Sequence, residues 1–239
     1  MNSEQFFEAP KVEVRVTADG SATLFVPALN EHYHSQHGAR QESAHIFIGA
    51  GLVPLLQRGS EGPRPLRILE IGLGTGLNAL LTLAASAGSA TPIEYDGLET
   101  YPLPPAVVAA LQPAWDEAGP APKAQFAALH AAPWGTPVAL RPGFVLTKRH
   151  EALQAAALRP AHYHLIYFDA FAPEKQPELW TEAVFAQLYA AAAPGAVLVS
   201  YCAQGQFRRN LRAAGWHPEK LPGPPGKREI TRAVKQAGG

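Results

Sequence analysis

From residue 66 onward, short apolar runs alternate with segments of helical composition, and this alternation constrains the fold more than any other feature of the sequence. The apolar runs that we predict as strands are 66–71, 93–98, 144–147, 164–168 and 196–201. The segments that we predict as helices are 77–87, one that includes 107–111, 151–158, 179–193 and 206–214. Strands that alternate with helices form βαβ units and a parallel sheet that is covered on both faces. The sequence therefore predicts a doubly wound α/β fold.

The segments outside this alternation predict a smaller additional element. Residues 12–26 form two alternating β-rich runs around Asp19-Gly20, a pattern typical of a hairpin, and the apolar run 46–56 suits a helix. We expect an N-terminal β-containing element on the substrate side in residues 1–58 and the α/β domain in residues 59–239. Short strands are also predicted at 216–221 and 230–234, whereas residues 112–143, which are rich in Pro and Ala, receive no assignment.

Composition excludes several classes of protein. No run of about 18 apolar residues is present, and the first residues lack the pattern of a secretory signal, so we expect a cytoplasmic protein without a membrane partner. A single cysteine, Cys202, excludes an internal disulfide framework and is expected to be a small buried residue. The 20 Lys and Arg balance the 20 Asp and Glu, which at first argues against a nucleic-acid partner.

That neutral total hides an asymmetry between two parts of the chain. Residues 200–239 hold eight Lys and Arg against two Glu, a balance of +6, and residues 1–199 carry −6. A basic segment of this kind favours contact with nucleic acid, in which the neighbouring Lys148 and Arg149 would take part. The neutral total therefore excludes only a uniformly basic protein.

A glycine-rich loop stands between the first predicted strand of the α/β region and its helix. Glycines let the backbone turn sharply and approach a ligand, and an acid at the end of the next strand commonly accepts the hydroxyls of a ribose. The G-x-G-x-G spacing differs from the G-x-G-x-x-G of dinucleotide-binding loops and resembles Rossmann-like S-adenosylmethionine-dependent methyltransferases. The alternative is a tight turn without a ligand. The residues predicted to bind the cofactor are Glu70, Gly72, Gly74, Thr75, Gly76, Asn78 and Glu99.

A carboxylate follows the strand at 164–168, at the edge of the sheet where ligands of open α/β folds bind. This residue, Asp169, stands next to Phe171 and Pro173, which would wall a target group. In methylation of an amine, positive charge moves onto the accepting nitrogen, and a nearby carboxylate stabilises that charge and accepts the departing proton. The alternative is a residue that caps a helix or shapes a turn.

Further blocks carry a closer resemblance that covers roughly residues 12–234. They are Tyr33-His34-Ser35, Glu42-Ser43, Glu70-Ile71-Gly72-Leu73-Gly74-Thr75-Gly76-Leu77-Asn78, Phe168-Asp169-Ala170-Phe171-Ala172-Pro173, Ser200-Tyr201-Cys202-Ala203 and Leu221-Pro222-Gly223-Pro224-Pro225-Gly226-Lys227-Arg228-Glu229. With these blocks in this order the chain resembles the MnmD family, the methyltransferase that also forms the N-terminal half of bifunctional MnmC. The last block and Asp-Ala-Phe-Ala-Pro are far more specific than the glycine loop.

The resemblance implies a Rossmann-like methyltransferase fold and a defined reaction. The methyl group of S-adenosylmethionine would pass to the 5-aminomethyl group of a (2-thio)uridine at the wobble position of tRNA. The products would be S-adenosylhomocysteine and 5-methylaminomethyl-2-thiouridine. Asp169 would be the catalytic candidate and also touch the cofactor, and Glu151 is a candidate beside the adenine, although a backbone group would serve there equally well. The flavin-dependent oxidase of bifunctional relatives is expected to be absent, so that the aminomethyl substrate comes from elsewhere.

The remaining candidates concern the tRNA, which would bind through its anticodon region to a protein that we expect to be a monomer. The residues predicted to contact substrate or tRNA are Tyr33, His34, Ser35, Glu42, Phe171, Pro173, Arg208, Arg209, Lys227 and Arg228. Tyr33, Trp180 and Tyr201 are candidates to stack on the wobble base, and for Trp180 packing is an equal alternative. Four histidines, His32, His34, His37 and His45, lie close together in the sequence, and we expect hydrogen bonding or RNA contact there rather than a metal.

Two other functions remain open at the level of sequence. A polyamine aminopropyltransferase would share the sheet, the acid after the second strand and the carboxylate after the fourth, but it would need acidic residues to hold a polyamine. A non-catalytic RNA-binding module would keep the fold without its chemistry. Retention of Asp169 together with the glycine loop argues against the second alternative.

Overall fold

The computed structural model describes residues 11–236, the side chains of Ser60, Asp116 and Pro120 excepted. Its strands are β1 Glu13–Val16, β2 Ala22–Val26, β3 Glu31–His32, β4 Leu66–Ile71, β5 Ile93–Glu99, β6 Val138–Arg141, β7 Phe144–His150, β8 Tyr163–Phe168, β9 Ala192–Ser200, β10 His217–Pro222 and β11 Glu229–Val234. Its α-helices are α1 Ala39–Ser43, α2 Val53–Leu56, α3 Leu77–Ala85, α4 Pro105–Asp116, α5 Pro120–Ala131, α6 Glu182–Ala191 and α7 Gly205–Ala213, and a π-helix, Ala44–Leu52, joins α1 to α2.

The central element is an eight-stranded sheet in the order β10-β11-β9-β8-β4-β5-β7-β6. The strands from β9 through β8, β4 and β5 to β7 pair in parallel, and β6, β10 and β11 pair antiparallel at the two edges. A separate three-stranded antiparallel sheet holds β1, β2 and β3. The predicted mostly parallel α/β fold and the predicted N-terminal hairpin are both confirmed.

The register of the parallel strands explains where the chemistry-bearing loops meet. Ile71, the last residue of β4, lies opposite Leu98 of β5 on one side and Phe168 of β8 on the other. The chain therefore leaves three adjacent strands at one edge of the sheet. Because β5 and β8 lie on opposite sides of β4, the order of strands reverses there, and crevices for ligands form at such points.

Both faces of the sheet are buried, as the unbroken apolar runs predict. Along β4, Ile68 packs in a cluster with residues of the π-helix, α3 and α5, whereas Leu69 packs in a second cluster with residues of α6 and α7. Successive side chains of a strand point to opposite faces, so one strand supplies both cores. The faces are therefore covered by different helices.

The helical segment from α1 to α2 lies directly against the sheet. A Cβ on Gly51 of the π-helix would lie 3.1 Å from Val199 Cγ2 of β9, and Ile46, Phe47 and Leu52 are buried. The helix predicted over 46–56 is confirmed, although most of it has the wider π geometry, which is rare and often marks functional sites. The division into units 1–58 and 59–239 stays a prediction.

Two predicted helices differ from the structure. The helix predicted at 151–158 is wrong: the segment holds one 3₁₀ turn, Leu153–Ala155, because Gln187 Nε2 donates to the carbonyls of Leu153 and Ala156 and holds them out of a helix. The helix predicted at 179–193 begins later, after Thr181, whose hydroxyl accepts from the Val184 N–H. It also ends at Ala191, since β9 begins there.

The region that receives no assignment from the sequence contains helix and strand. Residues 112–143 hold the end of α4, the whole of α5 and β6. The predicted strands near 216–221 and 230–234 are confirmed as β10 and β11. Over residues 11–236, no helix combines the length and apolar character needed to cross a membrane.

Candidate functional site

A cavity of about 680 Å³ opens at the edge of the sheet where β4, β5 and β8 end. Its lining combines the loop after β4 with the ends of β5 and β8 and with residues of the N-terminal segment around β3 and α1. The volume is that of a pocket for a small-molecule ligand or cofactor. The cavity has two halves, which we name the donor half, around the glycine loop and Glu99, and the acceptor half, around Asp169.

The glycine loop in the donor half depends on residues without a Cβ. Gly72 has φ +87°, and a Cβ there would lie 2.6 Å from the backbone oxygen of Asp169. Gly74 has φ +51°, and its Cβ would lie 3.1 Å from the ring of Tyr33. Positive φ and close approach both require glycine. The loop is thus a backbone cradle that any side chain at these positions would fill.

Glu99, at the end of β5, is bound to that loop. Its carboxylate accepts the Gly74 N–H at 2.9 Å and the Tyr101 N–H at 2.8 Å. Burial raises the pKa of Glu99, and these backbone hydrogen bonds oppose the shift. Each oxygen keeps a further lone pair, so the carboxylate can still accept two hydroxyls. The cradle, the acid and the cavity volume together fit S-adenosylmethionine, with Gly72, Gly74, Thr75 and Glu99 lining its half.

Glu70 does not fit its predicted role as a direct ligand of the cofactor. It is fully buried, and its two oxygens accept from Tyr95 Oη at 2.7 Å and from Asn78 Nδ2 at 2.8 Å. Burial raises the pKa of Glu70 well above its ordinary value. The pleat of β4 directs this side chain beneath α3 rather than into the cavity, so Glu70 supports the loop from below.

Asp169 lies on the floor of the acceptor half. Its N–H donates to the Ile71 carbonyl, which ties it to the end of β4, and its Oδ2 accepts from Asn78 Nδ2 at 2.8 Å. Burial raises the pKa of Asp169 to about 7; the Asn78 hydrogen bond and Lys227 lower it, and Glu42 raises it. The carboxyl therefore titrates near neutrality, as a group that accepts a proton in catalysis should.

Asn78 connects the two halves. Its amide donates both to Glu70 and to Asp169, and it is only 2% exposed at the start of α3. Its Oδ1 is buried and has no hydrogen-bond partner among the described residues. The sequence predicts Asn78 as a cofactor residue, but the contact with Asp169 depends on tertiary structure and was not predicted.

Aromatic side chains wall the acceptor half. Tyr33 and Phe171 meet edge to face with centroids 5.1 Å apart, and the Tyr201 hydroxyl donates to the Ala170 carbonyl at 2.8 Å. Trp180 supports this wall from behind: its Nε1 donates to the Phe171 carbonyl, and its ring is buried. The packing alternative for Trp180 is therefore confirmed, since a buried ring is not available to stack on a base.

The N-terminal segment and the loop after β10 meet over the acceptor half. Lys227 Nζ forms an ion pair with Glu42 Oε1 at 2.5 Å, and His45 Nε2 lies 2.9 Å from the Pro222 carbonyl. Glu42 Oε2 accepts the Ser35 N–H at 2.9 Å. The pairing of Glu42 with Lys227 joins residues far apart in the chain, and no local signal in the sequence indicates it.

His34 lies in the same segment and is held in the neutral state. Its backbone N–H donates to Thr23 Oγ1 at 3.1 Å, and its Nδ1 lies 3.2 Å from the same hydroxyl oxygen. Burial lowers its pKa to about 4. Over residues 11–236, no group of three or more His, Cys, Asp and Glu side chains has the geometry of a metal site.

The other predicted residues lie at different distances from the cavity. Glu151 lines its far end, where it forms an ion pair with Arg149. Pro173 and Arg228 line a neighbouring groove that shares Ala172, Tyr201 and Lys227 with the cavity. Arg208 and Arg209 line neither: Arg208 pairs with Glu229, and Arg209 bonds to Gln206.

The predicted contribution of Lys148 to a nucleic-acid surface is wrong. Lys148 is 3% exposed, and its Nζ donates to the His130 carbonyl at 2.9 Å beneath the ring of Trp134. Burial lowers the pKa of Lys148, and the residue does not contribute to an exposed basic patch. Cys202 is buried, as predicted.

Comparison with known proteins identifies the fold and shows which methyltransferases this chain resembles. Residues 145–236 match the model of a family described as S-adenosyl-L-methionine-dependent methyltransferase. The protein named tRNA 5-methylaminomethyl-2-thiouridine biosynthesis bifunctional protein MnmC is 33% identical over 223 residues in Ralstonia nicotianae and 32% identical over 219 residues in Aromatoleum aromaticum. These matches cover 89% and 86% of this chain and 33% of each relative. The chain thus spans about a third of the length of these curated relatives.

Solved structures agree with this result. The crystal structure of MnmC2 from Aquifex aeolicus superposes with a TM-score of 0.76 at 25% identity, over 97% of this chain and 73% of that one. Spermidine synthase from Thermotoga maritima gives a TM-score of 0.59 at 13% identity, over 97% of this chain and 71% of that one, a likeness of fold alone. Together with the glycine cradle, Glu99 and Asp169, these matches show the Rossmann-like fold of S-adenosyl-L-methionine-dependent methyltransferases and a likeness to MnmC over nearly the whole of this chain.

Proposed function

We propose that this protein methylates the amino group of 5-aminomethyl-(2-thio)uridine at the wobble position of tRNA, in the cytoplasm and as a monomer. The name of the curated relatives supports the product, 5-methylaminomethyl-2-thiouridine. The observation that carries the proposal is the direct contact between the two halves of the cavity. A Cβ on Gly72 would lie 2.6 Å from the Asp169 backbone oxygen, so the donor cradle and the acceptor carboxylate are immediate neighbours.

The donor half has the residues to hold the cofactor. Glu99 would accept the ribose hydroxyls, the loop from Gly72 to Gly76 would follow the rest of the molecule, and Glu151 would lie toward the adenine. S-adenosylmethionine, when bound, supplies a methyl group on a positively charged sulfur. The glycines let the backbone come close, and the buried surroundings keep water away from the methyl group.

On the acceptor side, Asp169 orients the amine and takes the proton that the amine loses. The attacking amine must be neutral, and a carboxylate favours the protonated amine, so the benefit of Asp169 is orientation and late acceptance of the proton. A carboxyl whose pKa lies about 7 exists in both forms at neutral pH. Phe171 and Tyr33 wall the target base, which leaves the stack of the anticodon loop to enter the cavity.

The tRNA backbone would lie along the groove beside the cavity. That groove carries Lys220, Lys227 and Arg228, and Arg228 is exposed. Several basic groups of the C-terminal segment are already paired: Lys220 and Arg208 with Glu229, Lys227 with Glu42, and Arg232 with Glu219. We therefore expect a modest electrostatic contribution to affinity, which falls as salt rises.

The alternatives receive less support. Spermidine synthase shares the fold at 13% identity, whereas the tRNA-modifying relatives are about a third identical. A non-catalytic module would not require an acceptor carboxyl with its pKa near neutrality.

A direct assay tests the proposal. The purified protein is incubated with methyl-labelled S-adenosylmethionine and tRNA that bears 5-aminomethyl-2-thiouridine; we expect label in tRNA and 5-methylaminomethyl-2-thiouridine after digestion. The unmodified transcript and putrescine serve as controls and should stay unlabelled. Equal labelling of the unmodified transcript would overturn the substrate, and transfer to putrescine would favour the polyamine alternative.

A further inference from the structure

Lys227 holds its ammonium group inside the acceptor half. Its Nζ lies 2.5 Å from Glu42 Oε1 and 4.3 Å from the centroid of the Tyr201 ring. Lys227 and Asp169 line the same cavity, and the lysine lowers the pKa of Asp169. An ammonium on a flexible stem is thus held by a carboxylate and an aromatic face, which is a typical environment for a bound cation.

Glu42 is built to hold a cation at this point. The residue is 8% exposed, and the Ser35 N–H occupies one of its carboxylate oxygens. Among the described residues, the other oxygen has no hydrogen-bond partner, and its contact is the ion pair with Lys227. A buried carboxylate that lost this cation would be strongly unfavourable, so the position needs a positive charge at all times.

The side chain of Lys227 also borders the neighbouring groove. It lines both the cavity and the neighbouring groove, and its side chain is 31% exposed on the loop between β10 and β11. Rotation about its side-chain bonds would carry the ammonium into the groove without movement of the sheet. Lys220 and Arg228 in that groove show that it already accommodates basic side chains.

We infer that Glu42, Asp169 and the face of Tyr201 form a seat for a primary ammonium, which Lys227 occupies in the free protein and vacates when the aminomethyl group of the substrate enters. The inference rests on the proposed function, because it takes the acceptor to be a primary amine. One ammonium replaces another, so the charge of the buried site stays constant during binding, and the bound ammonium must lose a proton before its nitrogen attacks the methyl group. Glu42 is then a positioning residue. A uridine without the amine cannot displace the lysine, so the exchange discriminates against uridines that lack the aminomethyl group.

The test measures binding of a defined amine to the full chain. 5-Aminomethyluridine is titrated into the protein with S-adenosylhomocysteine present, by calorimetry, and 5-hydroxymethyluridine serves as the neutral comparator. Lys227→Met removes the internal competitor, so the amine should bind about tenfold more tightly, while the hydroxymethyl compound should bind equally to both proteins. Glu42→Gln should weaken the amine about tenfold.

Matched variants control for loss of charge elsewhere. Lys123→Met changes an exposed lysine on α5, and Glu94→Gln removes a carboxylate that is paired with Arg67 near the opposite end of the sheet. Both should leave binding of the amine unchanged. Amine affinity that is unchanged or weaker in Lys227→Met would overturn the exchange, as would equal affinity of the wild type for the amine and the hydroxymethyl compound.

A measurement on the unaltered protein covers the case in which a variant fails to fold. Side-chain protons of Lys227 lie over the Tyr201 ring, so their NMR signals are shifted by the ring current. Addition of 5-aminomethyluridine should return them toward the values of an exposed lysine, and signals that stay in place would overturn the exchange. Methylation of tRNA without these effects would leave the proposed function and remove the seat. If the binding effects are seen but tRNA is not methylated, the seat stands for another primary amine and the tRNA substrate is overturned.

Discussion

The donor and acceptor halves of one cavity are built in different ways. The donor half consists largely of backbone: Gly72 and Gly74 shape the loop, and Glu99 is held by N–H groups. The acceptor half consists of side chains from distant segments, among them Glu42, Asp169 and Lys227. Backbone geometry follows from secondary structure, whereas the acceptor half exists only after those segments have packed. The comparison predicts that substitutions in the donor half weaken binding of the methyl donor and spare the acceptor. Substitutions in the acceptor half should have the opposite effect.

The largest expected effect comes from Asp169→Asn, which removes the group that accepts the proton but keeps the side-chain volume. We expect the turnover number to fall about a thousandfold, within the range for loss of general base catalysis, and donor affinity to stay within about twofold. Single-turnover kinetics and calorimetry with S-adenosylhomocysteine measure the two quantities. Asp96→Asn, which changes a carboxylate bonded to Tyr163 away from the cavity, is the control. A large loss of donor affinity would break the separation between the halves.

Glu99→Gln tests the donor half. The amide presents N–H groups toward Gly74 or Tyr101 where the carboxylate accepts their N–H groups, so we expect the donor to bind about 10- to 100-fold more weakly. At saturating donor, turnover should stay near that of the wild type. An equal loss of turnover at saturation would mean that Glu99 also acts on the acceptor.

Asn78→Ala tests the connection between the halves. The amide donates to Asp169 and lowers its pKa, so its removal should move the ionisation of Asp169 to higher pH. Since the ionised carboxylate is the form that accepts the proton, activity at pH 7 should fall about tenfold and recover as pH rises. A pH–rate profile measures this shift, and a loss that persists at high pH would indicate a structural role.

The smallest expected effect concerns stability. The pKa of Asp169 is raised from 3.8 to about 7 in the folded protein. A group with a raised pKa contributes stability that is present below pH 3.8 and is lost as pH rises through about 7. Asp169→Asn should therefore stabilise the protein at pH 8 by about 1 kcal/mol relative to the wild type, or about 2–4 °C in Tm, and by less at pH 5. Thermal unfolding at both pH values measures it, and destabilisation at pH 8 would contradict the cost attributed to this carboxyl.

The sequence predicts the donor half well because its signals are local. A strand at 66–71, a loop with the required glycines and an acid at the end of the next strand lie within 34 residues, and parallel pairing brings them together. Asp169 is identified for the same reason, since it follows a strand directly. Spacing along a strand does not show which face a residue occupies, however, and Glu70 turns toward Tyr95 and Asn78 beneath the loop.

The acceptor half escapes prediction where it depends on long-range contacts. Glu42 and Lys227 each belong to a motif, but their ion pair forms only because α1 and the π-helix after it meet the loop after β10. The incorrect helix at 151–158 has a similar cause. Alanine-rich composition favours a helix locally, and a single distant side chain, Gln187, binds the carbonyls instead.

The contact between His45 and Pro222 across the cavity also means that the acceptor half is completed late during synthesis of the chain. A nascent chain emerges from its N-terminus, and domains begin to fold as they emerge. The strands that carry Gly72 and Glu99 are made early, but Lys227 reaches the cavity only when more than nine-tenths of these 239 residues have been polymerised. A chain still on the ribosome therefore has the segments for a donor cradle long before it has a complete acceptor half.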